Sequence, residues 1–248
     1  MDFLSALLPG VDWQLLAYAP PGWGKVLLQG LLNSLIVAGG GYALGLLLGV
    51  GGAMAKLRGG PLARDLAEVY TTIVRGMPEL ILILILYYLG TDLLNRMLAL
   101  MGVGRVQASG LVAGIAVIAI VQGAYATEVI RGAIQAIAPG EHDAAQAFGM
   151  SARQALWRIT LPGMLPFAIP GLANLWLIAT KDTALLAVAG FTELTLATRQ
   201  AAGTTKAYLL FFCAAGLLYL AITLLSNQLF AALERRARRG QRPEAARG

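Results

Sequence analysis

The feature that most constrains this chain is a set of long segments without any charged residue. The first of them extends from Val26 to Ala55, whereas about 20 apolar residues are enough for a helix to cross the hydrocarbon core of a bilayer. Further uncharged segments are Val106–Thr127, Ile159–Thr180 and Ala207–Leu233. The chain is 58% hydrophobic and 13% charged, against about 45–50% and about 25% in soluble domains. These values predict an all-α integral membrane protein.

One more span is predicted between Leu66 and Gly90, although this segment carries charge. Arg75 and Glu79 lie inside it, and a charge at the membrane centre costs about 2.5–3.5 kcal/mol on insertion scales. The two side chains are spaced i, i+4 and can therefore pair, and Pro78 between them interrupts the regular helix. We expect a kinked second span, and hence five transmembrane helices in all.

Lysine and arginine residues outside the spans predict the orientation. The larger group comprises Lys56, Arg58, Arg64, Arg131, Arg153, Arg158 and the basic C-terminal tail. The positive-inside rule places this group in the cytoplasm, so the N-terminus is expected outside and the C-terminus inside. The predicted organisation is an external interfacial segment at 1–24, a transmembrane domain at 25–236 and a basic cytoplasmic tail at 237–248. The apolar loop 181–206 is expected to pack back at membrane depth.

A polar insert at 139–162 separates the third and fourth predicted spans. Glu141–Phe148 is predicted to form a helix of about two turns that ends at Gly149. Ser151 followed by Gln154 resembles a capping box that opens another helix. On shape alone, the insert is either a docking element for a cytoplasmic partner or an ordinary loop helix.

Several motifs carry a resemblance to a known family. Asp143-Ala144-Ala145, Gly149 and Ile159-x-Leu161-Pro162 resemble the E-A-A…G…I-x-L-P signature of ABC importer membrane subunits, with Asp143 in place of the usual Glu. Three further segments are similar to polar amino acid permeases, namely Tyr70–Leu80, Gly123–Ala133 and Lys181–Leu185. The nearest subgroup resembles the Q-type permease of histidine, lysine/arginine/ornithine and opine uptake systems.

The resemblance implies a type I importer fold and a permease subunit in the bacterial cytoplasmic (inner) membrane. The implied partners are a cytoplasmic ABC ATPase dimer, a second permease subunit (related or identical) and an extracytoplasmic solute-binding protein. The chain has no G-x-x-x-x-G-K-[ST] motif, so ATP and Mg²⁺ belong to the ATPase and this subunit is not expected to be an enzyme. The residues implied in ATPase coupling are Glu141, Asp143, Ala144, Ala145, Gly149, Leu161 and Pro162.

Polar residues within or beside the spans are candidates for the solute path, since ionisable groups at membrane depth are usually functional. They are Arg75, Glu79, Gln122, Glu128, Asn174, Lys181, Asp182 and Glu193. Three structural alternatives stay open: Glu128 can pair with Arg131, Arg75 with Glu79, and Lys181 with Asp182. A cationic solute, as the resemblance implies, favours Glu79 and Asp182 as the selecting carboxylates.

Other classes of protein are less consistent with the sequence. An ion-coupled secondary transporter or channel is the main alternative, and it would show inverted repeats with paired broken helices, of which no second copy is found. With one cysteine and one histidine, neither a metal cluster nor a catalytic triad is expected. Gly39–Gly41, Gly45 and Gly49 indicate close helix packing, either within the chain or between subunits.

Overall fold

Helices account for the secondary structure of the chain. The computed structural model describes residues 12–100 and 110–238, and these ranges contain helices and no strand. The helices are α1 Gly24–Arg58, α2 Pro61–Gly76, α3 Glu79–Leu100, α4 Gly110–Gln135, α5 Pro139–Ala147, α6 Ala152–Ala155, α7 Leu161–Asp182, α8 Leu194–Thr205 and α9 Tyr208–Ala237. Most of the predicted tail and the first part of the predicted N-terminal segment lie outside the described residues.

Four helical segments of the described chain are long and apolar enough to cross a membrane. They are Gly24–Arg58, Gly110–Gln135, Ala152–Ala187 and Tyr208–Ala237. The number rises to five if the bent pair formed by α2 and α3 counts as one span. The prediction of an all-α membrane protein is therefore confirmed, with four to five spans.

The bent pair corresponds to the predicted kinked span. The axes of α2 and α3 differ by 117°. Met77 at the break is extended, with φ −101° and ψ 147°, because the ring of Pro78 disfavours a helical conformation in the preceding residue. The interruption is where the sequence predicts it, but it divides two separate helices and not one bent helix. The pair also extends further than the predicted span, from Pro61 to Leu100.

Helices α1 and α4 pack closely through a row of glycines. A Cβ atom at Gly41 would lie 2.6 Å from Ile118 Cγ2, and one at Gly45 would lie 3.0 Å from Gln122 Cβ. One more turn along, a Cβ at Gly49 would lie 2.5 Å from Ala126 Cβ. Small residues allow two backbones to approach in this way. The glycine row therefore serves packing within the chain, which is one of the two alternatives left open by the sequence.

The polar insert and the loop before α9 occupy opposite ends of the helix pair α1–α4. At one end, a Cβ at Gly163 of α7 would lie 3.6 Å from Glu141 Oε2 of α5; we call this the α5 end. At the other end, Gly30 of α1 lies against Glu193 and Ala197; we call this the α8 end. Consequently α1 and α4 both run from the α8 end to the α5 end, and α7 runs in the opposite direction.

Two local predictions about these ends are confirmed. The insert forms α5, Gly149 follows it with φ +69°, and Ser151 and Gln154 form both hydrogen bonds of a capping box. In the loop, Gly190 has φ +89° and α8 buries Leu194, Ala197, Thr198, Ala201 and Ala202. The loop thus packs back on the helices as its apolar composition predicts.

Candidate functional site

The break between α2 and α3 lies beside polar residues of α4 and α7, and we call this group the corner cluster: Arg75, Glu79, Gln122, Tyr125 and Asp182. Gln122 Nε2 donates a hydrogen bond to Asp182 Oδ2 at 3.2 Å. The Tyr125 hydroxyl donates to Glu79 Oε1 at 3.4 Å. The carboxyl groups of Glu79 and Asp182 are close enough to interact with each other. Four predicted path residues therefore meet at one place.

The corner cluster contains two carboxyl groups without a paired cation in the described part of the chain. Within residues 12–100 and 110–238, no Lys, Arg or His nitrogen lies within 4.0 Å of either Glu79 or Asp182. Asp182 is only 6% exposed. Gln122 Oε1 is also buried, and it has no hydrogen-bond partner among these residues. Neighbouring carboxylates repel, and a nearby positive charge stabilises them, so the cluster is suited to receive a cation with several N–H donors.

Arg75 adds a positive charge at the edge of the cluster. Its guanidinium lies 5.8 Å from the ring centroid of Tyr125, within the range of a cation–π contact, and the residue is exposed. The expected ion pair with Glu79 is wrong, because no such pair forms within 4.0 Å among the described residues. The helix break between the two residues removes the i, i+4 geometry on which that pair depended.

Lys181 and Asp182 do not pair either, contrary to the third alternative. Lys181 is exposed, whereas Asp182 is buried and turned toward Gln122. Consecutive residues of a helix do not face each other, and this accounts for the difference. Asn174 is exposed on α7, away from the hydrogen bonds of the corner cluster.

Glu128 is neutralised by two basic residues. Its Oε2 accepts from Arg131 Nη2 at 2.7 Å, so the expected pair with Arg131 is confirmed. Its Oε1 accepts from Lys56 Nζ at 2.6 Å. In the sequence Lys56 is recognisable only as an orientation signal, because Glu128 lies 72 residues away from it.

Glu193 is the N-terminal cap of α8. The residue is fully buried, and its carboxylate accepts hydrogen bonds from Leu196 N at 2.8 Å, the Tyr219 hydroxyl at 3.1 Å and Ser34 Oγ at 3.2 Å. These donors satisfy the charge without a cation. In this conformation Glu193 joins α1, α8 and α9 and has no surface open to a solute.

The polar insert at 139–162, which the resemblance implies is the segment that couples to the ATPase and which we call the coupling segment, forms a second candidate site at the α5 end. Asp143 and Ala144 are exposed, whereas Ala145 is 3% exposed and packs inward. Two large aromatic side chains also face outward, Phe148 at 83% and Trp157 at 63% exposure. Exposed aromatic residues are typical anchors of protein interfaces.

Comparisons with known proteins give a consistent result. A family profile described as "binding-protein-dependent transport system inner membrane component" matches residues 41–239. The octopine transport system permease protein OccQ of Agrobacterium tumefaciens (strain Ach5) is 37% identical over 228 residues, covering 92% of this chain and 96% of that protein. The histidine/lysine/arginine/ornithine transport system permease protein HisQ of Escherichia coli (strain K12) is 38% identical over 215 residues, covering 87% and 94%.

The solved structures that resemble this chain are also ABC transporters. A crystal structure of an amino acid ABC transporter with histidines superposes with a TM-score of 0.72 at 27% identity, covering 86% of this chain and 95% of that chain. The methionine ABC transporter MetNI, in an inward-facing conformation, superposes with a TM-score of 0.65 over the same fractions. Its identity is 17%, so this second likeness concerns the fold alone.

Proposed function

We propose that this chain, which belongs to the family of binding-protein-dependent transport system inner membrane components, translocates a basic amino acid or an opine. The chain is a permease subunit of an ABC importer, and ATP hydrolysis is carried by a separate subunit. Its relatives are permeases of octopine, nopaline and histidine/lysine/arginine/ornithine transport systems. Membership of this family argues against the alternative function, an ion-coupled secondary transporter or channel.

The observation that carries the choice of solute is the two carboxyl groups of the corner cluster, which lack a cationic partner among the described residues. In a conformation that exposes Asp182 and Gln122 Oε1, both buried in this structure, a cationic side chain would donate to these two groups and to Glu79. The α-carboxylate of the same solute would meet the guanidinium of Arg75, which recognises carboxylates through its planar fork of donors. A solute with both charges uses both halves of the cluster, as a basic amino acid or an opine does.

The alternating directions of successive helices support five membrane crossings with the predicted orientation. Helix α2 begins where α1 ends, at the α5 end, and Tyr87 of α3 lies beside Gly110 at the start of α4. The bent pair therefore connects opposite ends of the α1–α4 pair and crosses once. The positive-inside rule then assigns the α5 end to the cytoplasm, within a transmembrane domain at 25–236 in the inner membrane.

The coupling segment is proposed to dock on the ATPase. Asp143 and Ala144 are exposed beside Phe148, while Leu161 belongs to the core around Ile137 and Met164. Force applied to the exposed face would reach the spans through this core. The proposed assembly has a cytoplasmic ATPase dimer, a second permease subunit and a solute-binding protein.

The experiment compares arginine and glutamine uptake by the reconstituted importer carrying Glu79→Gln. Hydrogen bonds to charged groups contribute about 1.5–3 kcal/mol, so arginine uptake should fall about 10- to 150-fold, and glutamine uptake much less. The matched control is Asp92→Asn, which removes a carboxylate from an exposed ion pair on α3. Equal losses for both solutes would assign Glu79 a structural role and contradict the proposal.

A further inference from the structure

Helix α2 has little apolar surface with which to hold its place. Its inner face contributes only Ala67, Thr71 and Val74 to the buried interior. Its larger apolar side chains form an outward stripe of Leu62, Leu66, Val69 and Ile73, which are 53–74% exposed. Although Tyr70 packs against the same core as Val74, this inner face is narrow, so polar contacts add to the restraint on the position of α2.

Several of these polar contacts are made by Lys56 of α1, and we call this lysine and the groups around it the Lys56 clamp: Lys56, Glu68, Thr71, Glu128 and Arg131. The Lys56 side chain is 5% exposed. Its Nζ lies 2.6 Å from Glu128 Oε1, 2.6 Å from Thr71 Oγ1 and 2.7 Å from Glu68 Oε2. A lysine ammonium has three donors, so all three are used, and they join α1, α2 and α4.

The charges of the clamp balance. Glu128 also accepts from Arg131 at 2.7 and 3.1 Å, so two carboxylates face two cations. The Lys56 and Glu128 side chains are 5% and 17% exposed, whereas that of Glu68 is 65% exposed. Removing the charge of Lys56 therefore leaves an uncompensated buried charge mainly at Glu128. Lys56 is the member common to both carboxylates. Loss of its charge would leave Glu68 without this ion pair and Glu128 with Arg131 alone.

The clamp lies between the coupling segment and the corner cluster. Thr71 precedes Arg75 by one helical turn on α2, and Glu128 follows Tyr125 by about one turn on α4. A second tether, from the Tyr70 hydroxyl to Ile120 O at 2.5 Å, holds the same face of α2 on α4. Beyond Glu128, α4 continues toward the coupling segment.

We infer that Lys56 is a positioning residue for translocation. By fixing α2 on α4, it makes the end of α2 that carries Arg75 move together with the helix that leads into the coupling segment. The break at Met77-Pro78 lets α2 pivot against α3. The clamp therefore makes α2 move with α4 and not with α3. This inference rests on the proposed function, since it assigns the corner to solute binding and α5 to the ATPase.

The first test measures arginine imported per ATP hydrolysed by the complete reconstituted importer. Lys56→Met keeps the length of the side chain and removes the charge, Lys56→Arg keeps the charge, and Glu68→Gln removes only one partner. Lys25→Met is the matched control, because Lys25 is exposed at the opposite end of the same helix. We expect K56M to keep ATPase activity within about twofold while import per ATP falls at least tenfold.

The remaining outcomes of the first test are equally specific. K56R should recover import per ATP to within about threefold of the parent, and E68Q should lower it about threefold. If K56M fails to assemble, K56R and E68Q decide in its place. The inference is overturned if K56M and E68Q behave as K25M does, or if ATPase activity and import fall in parallel in E68Q.

The second test does not depend on transport. Spin labels at Leu62→Cys and Ala136→Cys, both at exposed positions, report the distance between α2 and the end of α4, in a chain whose single cysteine is replaced by Cys213→Ala. The parent, K25M and K56R should give one narrow distance distribution, and K56M a broadened or shifted one. An unchanged distribution in K56M overturns the inference. If the parent imports no arginine, the proposed solute fails, while this distance still tests the clamp.

Discussion

The contact between α1 and α4 can be tested by adding one methyl group at Gly49. A Cβ there would lie 2.5 Å from Ala126 Cβ, 3.0 Å from Ala126 C and 3.1 Å from Thr127 N. Carbon atoms are normally separated by about 3.5–4.0 Å, and two of these neighbours are backbone atoms that cannot rotate away. Gly49→Ala therefore requires the two helices to separate by about 1 Å.

The expected loss of stability follows from comparison with Gly51, where a Cβ would meet no heavy atom of the described residues within 4 Å. Both substitutions stabilise the helix by about 1 kcal/mol through helix propensity. Only Gly49→Ala is also destabilised, by about 1–3 kcal/mol, through overpacking. At about 2–4 °C per kcal/mol, Gly49→Ala should melt about 2–12 °C below Gly51→Ala. The assay is the loss of the monodisperse gel-filtration peak on heating in detergent. Equal midpoints would refute the packing described for α1 and α4.

Two further predictions concern the capping residue and the exposed aromatic residue. Glu193→Ala removes an N-terminal cap, at a cost of about 0.5–2 kcal/mol, and should lower the melting midpoint while the ratio of arginine to glutamine uptake stays constant; a changed ratio would place Glu193 on the solute path. Phe148→Ala should weaken binding of the ATPase about 30-fold, as expected for an interface anchor worth about 2 kcal/mol, with no change in the melting midpoint; unchanged affinity in a surface-immobilised binding assay would exclude Phe148 from the interface.

Features that depend on neighbouring residues could be predicted from the sequence. The capping box of Ser151 and Gln154 closes within three residues, and the break before Pro78 follows from the geometry of proline itself. Gly149 ends its helix with a positive φ that glycine adopts without strain. The long uncharged segments likewise identify the membrane helices, because the thickness of the bilayer sets their length.

Side-chain partners were predicted less well, because the sequence suggests only partners that are close along the chain. The pairs of Arg75 with Glu79 and of Lys181 with Asp182, which the sequence leaves open, do not form. The hydrogen-bond partners of Glu79 and Asp182 lie 46 and 60 residues away. These distant contacts depend on the packing of α7 on α4 and on the turn between α2 and α3, and neither geometry can be read from local spacing.

Burial also changed the interpretation of single residues. Glu193 has the composition of a solute-binding carboxylate, but Ser34 and Tyr219, which satisfy it, come from α1 and α9. Lys56 reads as a positive charge at the end of a span, but its side chain is enclosed by partners from two other helices. In both cases the role follows from helices that meet only in the folded chain.

Binding of radiolabelled arginine to the purified importer tests the proposal that the corner cluster holds the cationic solute. The measurement uses the permease–ATPase complex without the binding protein and compares the Glu79→Gln/Asp182→Asn double variant with Asp92→Asn. Two lost charge-assisted contacts, at about 1.5–3 kcal/mol each, predict that the dissociation constant rises at least 100-fold in the double variant and is unchanged in Asp92→Asn. An equal dissociation constant in both variants would contradict the claim.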